Sequence, residues 1–159
     1  MIPFLDITKK DIETSVGINI VAATAFCQEA VQAFIEERQG EESGGTLIMT
    51  GATSAVRGWK HFGAFAAGKH GSRALSQSIA REFGPRGVHV VYCIVDGTIS
   101  TKTTRRMFAK RDGQENDWME DREKVLHPDE IAQTYLFLHR QPRGAWTLEL
   151  DLRPSKEHF

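Results

Sequence analysis

Apolar residues recur at steps of three and four along the N-terminal part of the chain, and this spacing predicts a long amphipathic helix. Thr8 and Asp11 fit a capping box at its start, in which a hydroxyl and an acid three residues later bracket the first turn. We expect this helix to end by Gln39-Gly40, before a polar, glycine-rich turn. Its apolar stripe consists of Val16, Ile20, Ala23, Cys27, Ala30 and Phe34.

Two short apolar runs predict buried strands, at residues 46–50 and 88–95. The second run is nearly continuous, which is typical of a parallel strand that is covered on both faces. Between them we predict a helix from about Ala64 to Phe83, stopped by Gly84-Pro85. The first half of this helix is small-sided, and each glycine costs a helix ~1 kcal/mol against alanine. Another backbone should therefore approach it closely, at Gly68, Gly71 and Ser72.

The remaining elements complete an alternation of helices and strands. Residues 97–126 are polar and charged, so we expect short helical pieces or a mobile loop there. A third helix opens at His127–Glu130, with proline in its first turn and acids at the positive end of its dipole. A last strand covers residues 146–151. This order predicts an α/β, Rossmann-like fold of three layers around a shortened, mainly parallel sheet, formed by a single domain over residues 1–159.

Composition narrows the function classes. The 159 residues carry a net charge of −1, which gives no reason to expect nucleic acid or an anionic membrane surface as a partner. The two cysteines lie within apolar runs, and we interpret them as free thiols of a reducing compartment rather than as a disulfide. We see no signal peptide, and no uncharged apolar run of about 20 residues. We therefore expect a cytoplasmic, soluble protein.

Two kinds of catalytic centre have no support in the sequence. Six histidines and two cysteines are scattered without a ligand pair at zinc-like spacing, so we expect no metal. There is also no Gly-x-Ser-x-Gly elbow, which leaves a hydrolase triad without its nucleophile. We interpret the acidic stretch from Asp112 to Glu123 as a solvated face or lid.

Several segments, in their order along the chain, resemble the short-chain dehydrogenase/reductase family. Residues 63–69 and 75–90 are similar to the family's active-site helix and the strand after it. The strand that leads into Thr50-Gly51-Ala52 resembles the one before the catalytic serine, and Ile18-Asn19 lies in the helix that bears a structural asparagine. Residues 95–101 resemble the loop that holds the nicotinamide amide, and residues 127–132 and 148–151 also fit.

The resemblance implies a set of site residues. The family's Tyr-x-x-x-Lys motif falls on Phe65 and Lys69, and its serine falls on Thr53 or the adjacent Ser54. Asn19 would brace the helix through a backbone hydrogen bond and a water molecule. Together these five residues are the candidate catalytic positions. On the same resemblance, the candidate cofactor-binding positions are Gly97, Ile99 and Thr101.

Two departures from the family pattern limit this chemistry. Phe65 has no hydroxyl, so the phenol that would pass a proton to a substrate carbonyl is missing, and such an acid contributes ~10²–10⁴ in rate. The glycine-rich turn that seats a pyrophosphate is also absent, and the glycine-dense residues 40–45 precede a strand instead of opening a helix. We therefore interpret the chain as N-terminally truncated and expect no tight NAD(P) binding by this chain alone, although the family uses NAD(P).

Three hypotheses for the function remain open. The chain could retain weak carbonyl chemistry through Thr53 and Lys69, with a borrowed cofactor site and a small-molecule substrate. It could instead be a cofactor-independent isomerase or lyase with His61 or His70 as the base. It could also be a non-catalytic pseudoenzyme that acts through dimerisation. The resemblance further implies a homodimer through the helices around Asn19 and Lys69, or docking on a full-length relative.

Overall fold

In the computed structural model, residues 1–36, 44–112 and 117–156 are described. The N-terminal helical segment has three parts, which are α1 (Lys9–Val16), a π-helical turn (Gly17–Ala22) and α2 (Ala23–Glu36). The predicted capping box is confirmed, because the Thr8 hydroxyl accepts from the Asp11 amide while the Asp11 carboxylate accepts from the Thr8 amide. The predicted end of the helix, at Gln39-Gly40, lies outside the described residues.

Three parallel strands form the sheet in the order β1 (Thr46–Ala52), β2 (His89–Val95) and β3 (Glu149–Leu152). Helix α3 (Gly63–Phe83) lies beside α2 on one face, and α5 (Pro128–His139) covers the other face. All seven residues of β2 are buried, which agrees with its continuous apolar sequence. The predicted three-layer α/β architecture with a short parallel sheet is therefore confirmed.

The small residues of α3 lie against the same chain. A Cβ atom at Gly68 would be 2.5 Å from the Ser15 Oγ, and one at Gly71 would be 2.6 Å from the Ile20 Cδ1. The close approach predicted from the sequence is therefore confirmed, and the residues that approach α3 belong to the same chain. Ser15 of α1 and Ile20 of the π-helical turn provide this contact.

Two boundaries differ from the predictions. Residues 97–126 contain a regular helix, α4 (Lys102–Asp112), where only short helical pieces or a mobile loop were expected. The Thr101 hydroxyl accepts from the Thr104 amide at 3.1 Å, which caps the first turn of this helix. The last strand begins at Glu149 instead of Trp146. The Trp146 indole stacks on the His89 ring with centroids 4.8 Å apart, and this packing holds it outside the strand ladder.

The segment Lys9–Glu36 is long and apolar enough, by length and composition alone, to cross a membrane, and about a tenth of its most apolar window (11%) is buried. Glu29 interrupts the apolar part of this segment, so it contains no uncharged run of about 20 residues. A helix that packs against other protein has the same composition. Strand β1 lies at one edge of the sheet, beside this helix.

Candidate functional site

A cavity of about 750 Å³ opens between the N-terminal residues, α1 and the start of α3. Its wall is mainly apolar, and three of the predicted site residues, Asn19, Phe65 and Lys69, lie on it together. His61 lies on the same wall. Apolar side chains make up most of the rest, among them Ile2, Ile7, Ile18, Ala52 and Phe62. The shape and lining suit a small ligand with an apolar body and one polar group.

Lys69 projects from α3 toward the carboxyl end of β1. Its Nζ donates a hydrogen bond to the Thr50 carbonyl oxygen at 3.2 Å and lies 5.9 Å from the centroid of the Phe65 ring. Burial lowers the pKa of the Lys69 ammonium, because the charged form loses hydration. Among the described residues, no carboxylate forms an ion pair with it.

Phe65 stands one helical turn before Lys69 and is 40% exposed. Its ring centroid lies 6.3 Å from that of Phe62, with the ring planes tilted by 60°. Both rings belong to the cavity wall. The position that the resemblance assigns to a phenol therefore presents only carbon to the cavity, and Phe65 itself can donate no proton to a bound carbonyl.

Asn19 lies in the π-helical turn between α1 and α2. Its side-chain amide donates to the Ser15 carbonyl oxygen at 3.0 Å, and the Ser15 hydroxyl donates to the Ala64 carbonyl oxygen at 2.7 Å. These two bonds tie the widened turn to the first turn of α3. Single π-helical turns are frequently found at functional sites.

Thr53 and Ser54 do not lie on this wall. The Thr53 hydroxyl donates to the carboxylate of Asp96, and Ser54 is buried in a short 3₁₀ turn. Ala52 lies on the cavity wall instead. Ala52 has extended backbone, whereas Thr53 begins the 3₁₀ turn, and the Thr53 side chain lies against Asp96 instead.

Asp96 is the centre of a charged cluster that the sequence reading missed. Its carboxylate is 1% exposed and ion-pairs with Arg153 at 2.8 Å and with Arg57 at 3.8 Å. A charged residue directly after a fully buried strand is the sequence signal that could have indicated such a cluster. Buried charges of this kind need partners, and here they come from loops distant in sequence.

The predicted cofactor loop stands apart from the described lining of the cavity. Ile99 forms a parallel bridge to Leu126 and packs in the core under α5, and the Thr101 hydroxyl caps α4. At Gly97 a Cβ would be 2.9 Å from the Pro154 Cδ. All three positions therefore have local structural contacts of their own.

The histidines and tyrosines near the site differ in their access to the cavity. His70, which the sequence left as an alternative base to His61, hydrogen-bonds through Nδ1 to the Ala66 carbonyl oxygen and is not on the described lining. The Tyr92 hydroxyl contacts Ser72 at 3.0 Å and is buried. The Tyr135 hydroxyl lies 2.7 Å from the Thr50 Oγ1. Neither phenol lies on the described lining of the cavity.

The described residues do not fit a complete NAD(P) site. The first turn of α1 could bind an anion, but the carboxylate of Asp11 already accepts from the Thr8 amide there. The glycines at 44–45 lead into a strand, and a Cβ at Gly44 would meet the Gly87 carbonyl oxygen at 2.0 Å. No helix in the described ranges begins with the glycine-rich turn that holds a pyrophosphate.

Known proteins resemble this chain over most of its length. Residues 1–147 match the family described as enoyl-(acyl carrier protein) reductase. L-rhamnose-1-dehydrogenase of Scheffersomyces stipitis is 32% identical over 138 residues, which cover 85% of this chain and 51% of that protein. 3beta-hydroxysteroid dehydrogenase 1 of Eggerthella lenta is 27% identical over 94 residues, which cover 59% of this chain and 34% of that protein.

Solved structures share the fold of this chain. A short-chain dehydrogenase from Rhodopseudomonas palustris superposes with a TM-score of 0.70 and 28% identity, over 96% of this chain and 56% of that chain. The structure of ElxO with NADP bound gives a TM-score of 0.76 at 15% identity, over 95% of this chain and 60% of that chain. This chain thus spans about half the length of the curated relatives it matches (51% of the first). It belongs to the short-chain dehydrogenase/reductase family.

Proposed function

We propose that this protein of oxidoreductase lineage binds a small, largely apolar carbonyl compound in the cavity around Lys69 and does not reduce it with NAD(P) on its own. The observation that carries the proposal is the pairing of one amine with an apolar wall at Phe65. The amine can donate a hydrogen bond to a carbonyl oxygen, while the wall excludes water around the ligand body. Phe65 lacks the phenol and the described residues form no pyrophosphate cradle, which supports an active site that is degenerate for nucleotide-dependent reduction.

Ligand-observed NMR with acetophenone tests the binding. We expect saturable binding to the wild type and a loss of at least about tenfold in affinity for Ala52→Met, because the longer side chain enters the cavity. Ala67→Met is the matched control, since Ala67 is exposed on α3 and the same substitution should leave binding unchanged. Equal binding by all three proteins would contradict the proposal.

The degenerate site is tested by restoring the hydroxyl. Phe65→Tyr supplies the phenol but not the cradle, so we expect neither this variant nor the wild type to oxidise NADPH with acetophenone. Fluorescence titration should likewise show no saturation by NADPH up to the millimolar range. Turnover that appears in Phe65→Tyr would show that the described chain binds the nucleotide productively.

A second candidate function is association without catalysis, and it is favoured by an apolar face on the N-terminal helical segment. Ile18, Val21 and Phe26 are 65%, 62% and 66% exposed. We propose that a second copy of the chain covers this face as a homodimer, with a full-length relative as the other outcome. This burial would also let the protein remain cytoplasmic and soluble.

Light scattering after size exclusion tests the association. We expect a dimer for the wild type and mostly monomer for Phe26→Gln, because the substitution removes a large apolar contact. Phe137→Gln is the control, since Phe137 is 61% exposed on α5, at the opposite face of the sheet. A wild-type monomer at high concentration would rule out the homodimer.

The isomerase or lyase hypothesis is narrowed by the geometry. His61 lies on the cavity wall, whereas His70 is held by its own helix. Only His61 is therefore retained as a candidate base, and its backbone φ of 69° places it in a conformation that is uncommon for residues other than glycine. Loss of a measured isomerisation in His61→Gln, with activity kept in His70→Gln, would support this alternative.

A further inference from the structure

The Lys69 amine differs from the exposed amines in what surrounds it. Its one hydrogen-bond acceptor among the described residues is the neutral Thr50 carbonyl. Asp11 lies on the same cavity wall, but its carboxylate accepts a hydrogen bond from the Thr8 amide at 2.9 Å and thereby caps α1. By contrast, Lys9 and Lys124 are exposed and have carboxylate partners at 3.4 and 3.5 Å.

Two opposing effects act on the charge of Lys69. The Phe65 ring face attracts an ammonium, but at 5.9 Å from the centroid this attraction lies near the limit of its range. Burial acts the other way and lowers the pKa of the amine, because the charged form loses hydration. A desolvated lysine without a counter-charge in an apolar pocket is the usual setting for an amine nucleophile.

We propose that Lys69 is a nucleophile that forms a reversible imine with an aldehyde or ketone bound in the cavity of about 750 Å³. The inference rests on the proposed function in one respect, since the cavity must admit a carbonyl compound. It goes further because it assigns a covalent activity that needs no nucleotide.

The chemistry balances without an oxidant or a reductant. The lone pair of the neutral amine forms a bond to the carbonyl carbon, and the π electrons of the C=O bond move to oxygen. That oxygen takes up a proton to give a carbinolamine, and the nitrogen loses one. Protonation of the hydroxyl then allows it to leave as water while the C=N bond forms, and the resulting iminium nitrogen gives up its remaining proton. The sum is amine plus carbonyl compound giving imine plus water.

Reductive trapping tests the proposal. The full chain is incubated with benzaldehyde and sodium cyanoborohydride, and the modified lysines are mapped by peptide mass spectrometry. We expect Lys69 to be labelled roughly tenfold faster than Lys60, because the cavity concentrates the aldehyde beside the amine. Lys60 is an exposed internal comparator on the same chain.

Two variants sharpen the result. Lys69→Arg keeps the positive charge and a donor to the Thr50 carbonyl but removes the nucleophile, so the fast label should vanish while the Lys60 label stays. Ala52→Met should slow the Lys69 label without changing that of Lys60. The wild-type map stands by itself even if Lys69→Arg fails to fold. Labelling of Lys69 at no more than the Lys60 rate would overturn the inference.

The same samples separate this inference from the proposed function. If acetophenone binds the wild type and loses affinity in Ala52→Met, yet Lys69 is not labelled faster than Lys60, the imine is excluded and carbonyl binding stands. If acetophenone does not bind and the fast label is absent, both proposals fail. Fast labelling at Lys69 that acetophenone competes away supports both.

Discussion

Lys69 and Asp96 are ionisable groups near the carboxyl ends of neighbouring strands, but they differ in exposure and in their partners. Asp96 is 1% exposed and lies against two guanidinium groups and the Thr53 hydroxyl. Lys69 faces a cavity and has one neutral acceptor among the described residues. The first arrangement satisfies a buried charge and joins loops together, whereas the second leaves an amine available to a ligand. Charge alone therefore does not identify the reactive group.

The largest expected effect is the loss of stability when the Asp96 carboxylate is removed. Asp96→Ala should lower the free energy of unfolding by about 3 kcal/mol, because it leaves two guanidinium groups facing a site without its carboxylate. Lys69→Met should cost less than about 1 kcal/mol, since no ion pair is lost. Urea unfolding followed by circular dichroism measures both values.

A matched variant separates charge from shape at the same site. Asp96→Asn keeps the volume and an acceptor for the Thr53 hydroxyl but removes the charge, so its loss should fall between those of Asp96→Ala and Lys69→Met. If Lys69→Met proved as damaging as Asp96→Ala, Lys69 would be a structural residue and the comparison would be wrong.

A smaller expected effect is the pH dependence of stability, which compares Lys69 with a second buried base. His89 is also a buried base, but its site is filled by the Trp146 ring and the Thr147 carbonyl, whose oxygen lies 3.0 Å from Nε2. Burial lowers the pKa of His89 below its ordinary value of 6.5. In the pH window just below that value, His89 is protonated in the unfolded chain but neutral in the folded chain. Stability should therefore be full above the window and should decline as the pH falls through it.

Unfolding measured across this pH window checks the sign. His89→Gln should flatten the decline, and His70→Gln, at an exposed position, should leave it as in the wild type. A decline that is unchanged in His89→Gln would assign the effect to other groups.

Much of the local structure could be predicted from the sequence. The capping box at Thr8, the helix ending at Phe83 and the buried strand at 89–95 follow from short-range patterns, because capping and periodicity involve residues close together in the chain. The boundaries of α4 and β3 were less accessible. Polar composition hid the helix, and the packing of Trp146 on His89 moved the start of the strand.

The candidate site, too, could be predicted from the sequence only in part. The sequence by itself determined that position 65 carries no hydroxyl, that a lysine stands one turn later, and that small residues require a close neighbour along α3. Only the tertiary structure decided that Ala52 and not Thr53 meets the cavity, that Thr53 serves Asp96, and that the neighbour of Gly68 is Ser15 of the same chain. The physical reason is that the backbone changes from extended to 3₁₀ between Ala52 and Thr53, and that partners distant in sequence leave no local pattern.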